Sequence, residues 1–406
     1  MKFLFEVADF NSLDHFTPVA VELLKSGNCV VFFLNDQSVL TKDSRIKHLT
    51  QYEKFEGIKV QSLKTRRVEL TFTFLSRLLF GRHFSRFGFV NLRAWLLVQI
   101  SKILFLYRGL QRLDFDCAIS GWGDPSSYTM TLALSRNKPI VALPHGYPCL
   151  KNSIFNREIE RVVAKTGKLP DFSLRNLFDC YVVATERNRL QLRSWNIRNE
   201  KLEVWGNARF SPDWIKTLLS ILPPVQIPSD EEARSKVLFL LPAPTSNFRR
   251  RELHSLLNEL VKLPIVLLLK THTRVPQSIN IVPPELLKLS SVVDVSEEST
   301  TRLIECSTTV INFATGTALD AVFIGRRLIF AKYLSDNSYS WEDCPAIKIA
   351  DSEEECLFAV ADSSWMTETE LCGSYLAQEV FADGKIPNPP LHYATRLVEI
   401  AAAGRR

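Results

Sequence analysis

The chain reads as an α/β protein of two domains facing across a cleft and ending in a C-terminal helix, and three observations predict this. Short apolar runs alternate with helical patterns, first in the N-terminal half and again in the C-terminal half. A stretch with paired prolines and a charged run, ILPPVQIPSDEEARSK at 221–236, is poor packing material and divides the chain nearly in half. A length of 406 residues exceeds one ordinary core, while 46% hydrophobic side chains are enough to fill two. The predicted division is a first domain over 1–222, a linker over 223–236 and a second domain with the final helix over 237–406.

Taken in order, Lys2 to Ala8 reads as a buried strand, followed by a helix from about His15 to Lys25, a stop at Gly27 and a second apolar run, CVVFFLND. Strand, helix and strand at this spacing make a βαβ start and imply a parallel sheet. The rhythm continues through DCAISGW (116–122), PIVALPHG (139–146), DCYVVAT (179–185) and KLEVWGN (201–207). Beyond the linker come KVLFLLPAPT (236–245), a helix from about Arg249 to Lys262, IVLLLKTH (265–272) and SVVDVS (291–296). TTVINFA (308–314), a helix from Gly316 to Phe323, RLIFAK (327–332) and a last helix in NPPLHYATRLVEIAAA complete the series. Ligands of open α/β sheets sit beyond the carboxyl ends of the strands, so the polar endings of these runs outline the expected sites.

The net charge of +6 arises from 50 Lys and Arg against 44 Asp and Glu, and its excess is local. No acidic residue occurs between Leu70 and Leu113, where Arg77, Arg82, Arg86, Arg93, Lys102, Arg108 and Arg112 interleave with Phe72, Phe74, Phe80, Phe84, Phe87, Phe89 and Trp95. The segment 66–113 reads either as amphipathic helices with a solvated basic face or as a surface that docks on an anionic membrane. Nucleic acid is not an expected partner, because the motifs elsewhere point to small phosphates. Eight scattered cysteines without a CxxC pair fit a reducing compartment. Glu6 and Asp9 interrupt the apolar N-terminus, and no apolar run is long enough to span a bilayer. The expected location is cytoplasmic, at the inner face of the plasma membrane if the basic segment docks there.

Several strand endings carry chemistry. His145 ends PIVALPHG, and Gly146 after it allows a tight turn, so an imidazole that titrates near neutrality is placed to act as a general base. Its structural alternative is a histidine that merely closes the sheet edge. Lys151, six residues on, adds a cation for a phosphate, and Asn207 ends KLEVWGN on the same outline. Lys270 and His272 close an apolar strand in alternate positions, which puts them on one face and suits a diphosphate. ATGTALD at 314–320 follows a strand and opens a helix, so Thr315, Gly316 and Thr317 offer hydroxyls and N–H groups to an anion, while Asp320 is placed to accept from a ribose hydroxyl or to favour the helix dipole. APTSNFRR at 243–250 repeats the arrangement, with Thr245 as a cap and Arg249 opposing the helix dipole unless an anion sits between. No GxxxxGK[ST], HExxH or complete GxGxxG occurs, and the DxD of Asp114 and Asp116 precedes a strand. Neither a cofactor nor a bound metal is expected.

HGYPCLKN resembles the His-Gly-x-Pro-x-Lys motif of the CDP-glycerol glycerophosphotransferases, teichoic-acid polymerases with a GT-B fold of two Rossmann-like domains. VWGNARFSPDW is similar to their Gly-x-Pro-Arg segment, LLPAPTSNFR to Pro-Thr-x-x-Arg, LLLKTH to Lys-x-His-Pro, and INFATGTALDAVFIGRRLIF to the stretch that follows. The resemblance covers roughly 140–332, with Thr273, Ala208 and NFATG departing from the family pattern; capsule and surface-glycan transferases are similar in the same manner.

The resemblance implies a metal-independent transferase of polysaccharide biosynthesis. It would move a sugar or polyol-phosphate group from a nucleotide-activated donor to a surface-polysaccharide or lipid-linked acceptor. His145 would be the base on the acceptor hydroxyl, Lys270, His272 and Arg249 would hold the donor diphosphate with the turn at Thr315 and Gly316, and Arg209 would line the cleft. Two rivals share the architecture. A UDP-sugar 2-epimerase would need carboxylates near the sugar ring, for which Glu186 and Asp124 are available, and a non-catalytic glycan-binding protein would need no base.

Overall fold

The computed structural model describes residues 1–34, 42–59, 113–122, 128–144, 146, 150–151, 163–169, 171–225, 227, 235–243, 246–272, 276–362, 364–365 and 373–404. Two parallel sheets organise them. The first has seven strands, β1 (Lys2–Val7), β2 (Cys29–Leu34), β3 (Phe55–Lys59), β4 (Cys117–Gly121), β5 (Ile140–Leu143), β6 (Cys180–Val183) and β7 (Leu202–Val204), in the order β3-β2-β1-β4-β5-β6-β7. The second has six, β8 (Ser235–Leu240), β9 (Ile265–Lys270), β10 (Val292–Asp294), β11 (Thr309–Asn312), β12 (Arg327–Ala331) and β13 (Lys348–Ala350), in the order β10-β9-β8-β11-β12-β13. Both are doubly wound, and the register is parallel at every strand pair described, as in Phe3 with Val30 and Leu238 with Leu268. Strands buried on both faces read as near-continuous apolar runs, which is why they stand out in the sequence.

The helices follow the expected alternation. In chain order they are α1 (Phe10–Lys25), α2 (Ser44–Leu49), α3 (Tyr128–Ser135), α4 (Glu186–Ser194), α5 (Pro212–Ile221), α6 (Arg250–Leu260), α7 (Thr300–Cys306), α8 (Leu319–Ile324), α9 (Glu353–Ala361), α10 (Gly373–Glu379) and α11 (Pro389–Ala403). Helix α1 starts five residues before the expected His15, because Asp9 caps it by accepting the Ser12 N–H at 2.8 Å. Strands β3 and β13, at the sheet edges, were not expected; FEGIK and KIA are too mixed and too short to show a period.

The chain partitions into two compact units, 1–146 with 171–209 and 385–406, and 147–170 with 210–384. Two features differ from the expected division. Helix α11 packs on α1 in the first unit rather than with the second half: the Tyr393 hydroxyl donates to the Gly206 carbonyl at 2.8 Å, and Arg396 pairs with Glu203 at 2.9 Å. The boundary lies at 209–210 instead of 223, because α5 belongs to the second unit, where Arg302 donates to the carbonyls at its end, Leu219 and Leu222. Val225 and Ile227, inside the expected linker, pack against the second core. No helix among the described residues is long and apolar enough to cross a membrane. The basic segment 66–113 lies, except for Leu113, outside the described residues.

Candidate functional site

In the second sheet the chain runs outward from β8 through β9 to β10, then returns to β11 on the other side of β8. This reversal is the topological switch point, where loops leaving neighbouring strands in opposite directions open a crevice at the carboxyl edge. The loop after β8 carries Arg249, and the loop after β11 carries Thr315, Gly316 and Thr317. Phe313, buried just after β11, has its ring 6.2 Å from those of Phe239 in β8 and Phe248 in the loop after it.

A residue not singled out in the sequence shapes the second loop. Asn312, 1% exposed at the end of β11, accepts the N–H groups of Ala314 at 3.2 Å and Thr315 at 2.9 Å through Oδ1. This side chain turns the backbone out of the strand, and the hydroxyls of Thr315 and Thr317 then lie 3.1 Å apart. The signal was present in the sequence as a lone amide closing an apolar strand before Thr-Gly-Thr. The turn continues as a 3-10 segment, Gly316–Ala318, into the six-residue α8.

Other candidates have different surroundings. Asp320 is fully buried and its Oδ2 accepts from the Thr301 hydroxyl at 2.6 Å, so it supports the interior side of α8 instead of presenting a carboxylate to a ribose. Strand β9 ends at Lys270, and Lys270 and Thr271 are both buried, so the expected alternation does not extend to His272. The Lys270 ammonium donates to the Ser296 carbonyl in the loop after β10. Burial pushes its pKa down, against the opposing influence of Glu297, Asp294 and Glu298. This lysine is already engaged by the protein. His272 is half-buried, and its backbone N–H donates to Ser278 Oγ at 3.0 Å. Arg249 is exposed, precedes α6 as its cap residue, donates its N–H to the Leu334 carbonyl at 2.8 Å and pairs with Asp336. Thr245 lies outside the described residues.

The first-domain candidates separate into three groups. His145 lies outside the described residues, while Gly146 is half-buried with open space where a side chain would begin. Lys151 belongs to the second unit, where its ammonium pairs with Asp343 at 2.8 Å and its N–H donates to the Ser338 carbonyl at 2.8 Å. Arg209 is 2% exposed and its guanidinium pairs with Asp14, which also binds Arg45 at 2.7 Å; Arg45 in turn binds Asp43 at 2.7 Å. Arg209 is thus part of an internal network of ion pairs. Asn207 beside it is 1% exposed, and among the described residues neither its Oδ1 nor its Nδ2 meets a hydrogen-bond partner. Among those residues, too, no group of three or more His, Cys, Asp or Glu side chains is placed to hold a metal ion.

No protein-family model matches the chain, and no curated protein matches it in sequence. Among solved structures it is similar to the UDP-GlcNAc 2-epimerase of Methanocaldococcus jannaschii in complex with UDP-GlcNAc and UDP, with a TM-score of 0.57 and 14% identity over 100% of both chains. The chain has the GT-B fold. It is similar also to the UDP-N-acetylglucosamine 2-epimerase of Rickettsia bellii, with a TM-score of 0.55 and 14% identity over 99% of this chain and 96% of that one. The UDP-GlcNAc 2-epimerase of Neisseria meningitidis bound to UDP-GlcNAc gives 0.54 and 13% over 99% and 100%. Two Rossmann-like domains, as expected from the alternating pattern, are therefore present, whereas the CDP-glycerol family as such finds no match.

Proposed function

We propose that the protein is an enzyme acting on a nucleotide-activated sugar, with the nucleotide diphosphate seated beyond β8 and β11 of the second domain. The observation that carries this reading is the switch point itself, where the Thr315-Gly316-Thr317 turn, fixed by Asn312, neighbours the loop that presents Arg249. Hydroxyls, N–H groups and a guanidinium are the donors that a diphosphate takes up without a metal.

The reaction favoured is 2-epimerisation of a UDP-sugar, supported by similarity over almost the whole chain to enzymes with that activity. Moving a proton at carbon calls for carboxylates. Glu186 opens α4 with its side chain 49% exposed and paired with Arg189 at 3.2 Å, and Asp124 lies outside the described residues. A second reading, transfer of a sugar or polyol phosphate to a glycan or lipid-linked acceptor with His145 as base, is supported by HGYPCLKN and the motifs after it. Incubation of the full chain with UDP-GlcNAc alone separates them. Epimerisation predicts formation of the C2 epimer without acceptor, read by proton NMR; transfer predicts an unchanged sugar until an acceptor is added. Failure of UDP-sugars and CDP-polyols alike to bind would reject both.

A further inference from the structure

The carboxylate that meets Arg249 comes from the loop after β12, and that loop is held firmly. Ser335 and Asn337, on either side of Asp336, are each only 6% exposed. Ser335 Oγ donates to the Asn247 carbonyl at 3.0 Å and accepts the Asn337 N–H at 3.2 Å, while the Arg249 N–H donates to the Leu334 carbonyl at 2.8 Å. Asp336 thereby meets the guanidinium from a turn that is tied, through Leu334 and Ser335 just before it, to the loop that carries Arg249. The pair itself is open to water, with side-chain exposures of 48% for Arg249 and 60% for Asp336. An exposed pair of this type contributes little, so a ligand with more negative charge than one carboxylate can displace it.

The arginines at 249, 250 and 251 crowd positive charge at the start of α6, where the helix dipole is also positive and Glu252 is the acid in the first turn. An anion is favoured there. We infer that Asp336 is a built-in competitor for the substrate diphosphate: it neutralises Arg249 in the unliganded protein and is exchanged for phosphate on binding. The inference rests on the reading that Arg249 receives a nucleotide diphosphate.

Calorimetric titration of the full chain with UDP, and separately with inorganic pyrophosphate, tests it in four proteins: the parent, Asp336→Asn, Arg249→Ala and the double variant. Asp336→Asn is expected to bind both ligands roughly two- to five-fold more tightly, the range set by an exposed ion pair. The gain should vanish in the Arg249→Ala background. Thermal midpoints confirm folding, and Asp336→Ser serves if the asparagine variant does not fold. Unchanged affinity in Asp336→Asn, with Arg249→Ala still weakening UDP, overturns the competitor role and leaves the nucleotide reading standing. An equal gain with and without Arg249 is a general charge effect and also overturns it. Absence of binding by all four proteins rejects the nucleotide reading and the inference together.

Discussion

Asp14→Asn is expected to destabilise the first domain by about 3–5 kcal/mol, the usual cost of removing one partner from a buried ion pair. Arg209 is 2% exposed and Asp14 18%, so the substitution removes the Asp14 carboxylate from beside a guanidinium inside the protein. Arg45 keeps Asp43, which limits but does not cancel the loss. The measurement is the midpoint of chemical denaturation, with Glu22→Gln as a control. Glu22 pairs with Lys25 on the surface at 2.7 Å, and its loss should change stability by less than about 1 kcal/mol.

The same network predicts a pH dependence. Burial alone would raise the Asp14 carboxyl, but Arg209 and Arg45 together reverse that and hold it below the ordinary aspartate range. Its stabilising contribution is therefore fully present above the unfolded value of about 4 and is lost as pH falls further through the lowered folded value. The Asp14→Asn variant should lose this part of the acid sensitivity, seen as a flatter dependence of the midpoint below about pH 4.

Asn312→Ala is expected to cost about 1–3 kcal/mol, because the N–H groups of Ala314 and Thr315 lose their acceptor. Affinity for UDP should fall roughly tenfold, equivalent to about 1.4 kcal/mol, since the Thr315–Thr317 turn is no longer held in place before the ligand arrives. Asn312→Asp keeps an acceptor oxygen, so it should recover part of the stability. It should not recover affinity, because it sets a carboxylate behind the phosphates. Denaturation midpoints and calorimetric titration read the two effects separately.

The strands were legible because a doubly wound parallel sheet buries both faces of each strand, leaving runs such as CVVFFL and IVLLLK that no surface element would carry. Side-chain destinations were less legible. Lys270 closes an apolar strand, as a phosphate-binding lysine would, yet its ammonium is taken by Ser296 through a loop 26 residues further on, a contact that no local pattern encodes. Asp320 follows Thr-Gly-Thr at a helical start, but α8 is buried around Leu319, Ala321 and Val322, so the position faces inward. The return of α11 to the first unit depends on Tyr393 meeting Gly206, separated by 187 residues, and periodicity within the helix carries no record of that partner. Asn312 was legible and overlooked: an amide ending an apolar strand is an Asx-turn signal.

A crystal structure of the full chain with UDP tests the central claim most directly. The account predicts the diphosphate beyond the carboxyl ends of β8 and β11, against the Thr315–Thr317 turn and Arg249. Diphosphate density held by other residues, with that turn and Arg249 untouched, would contradict it.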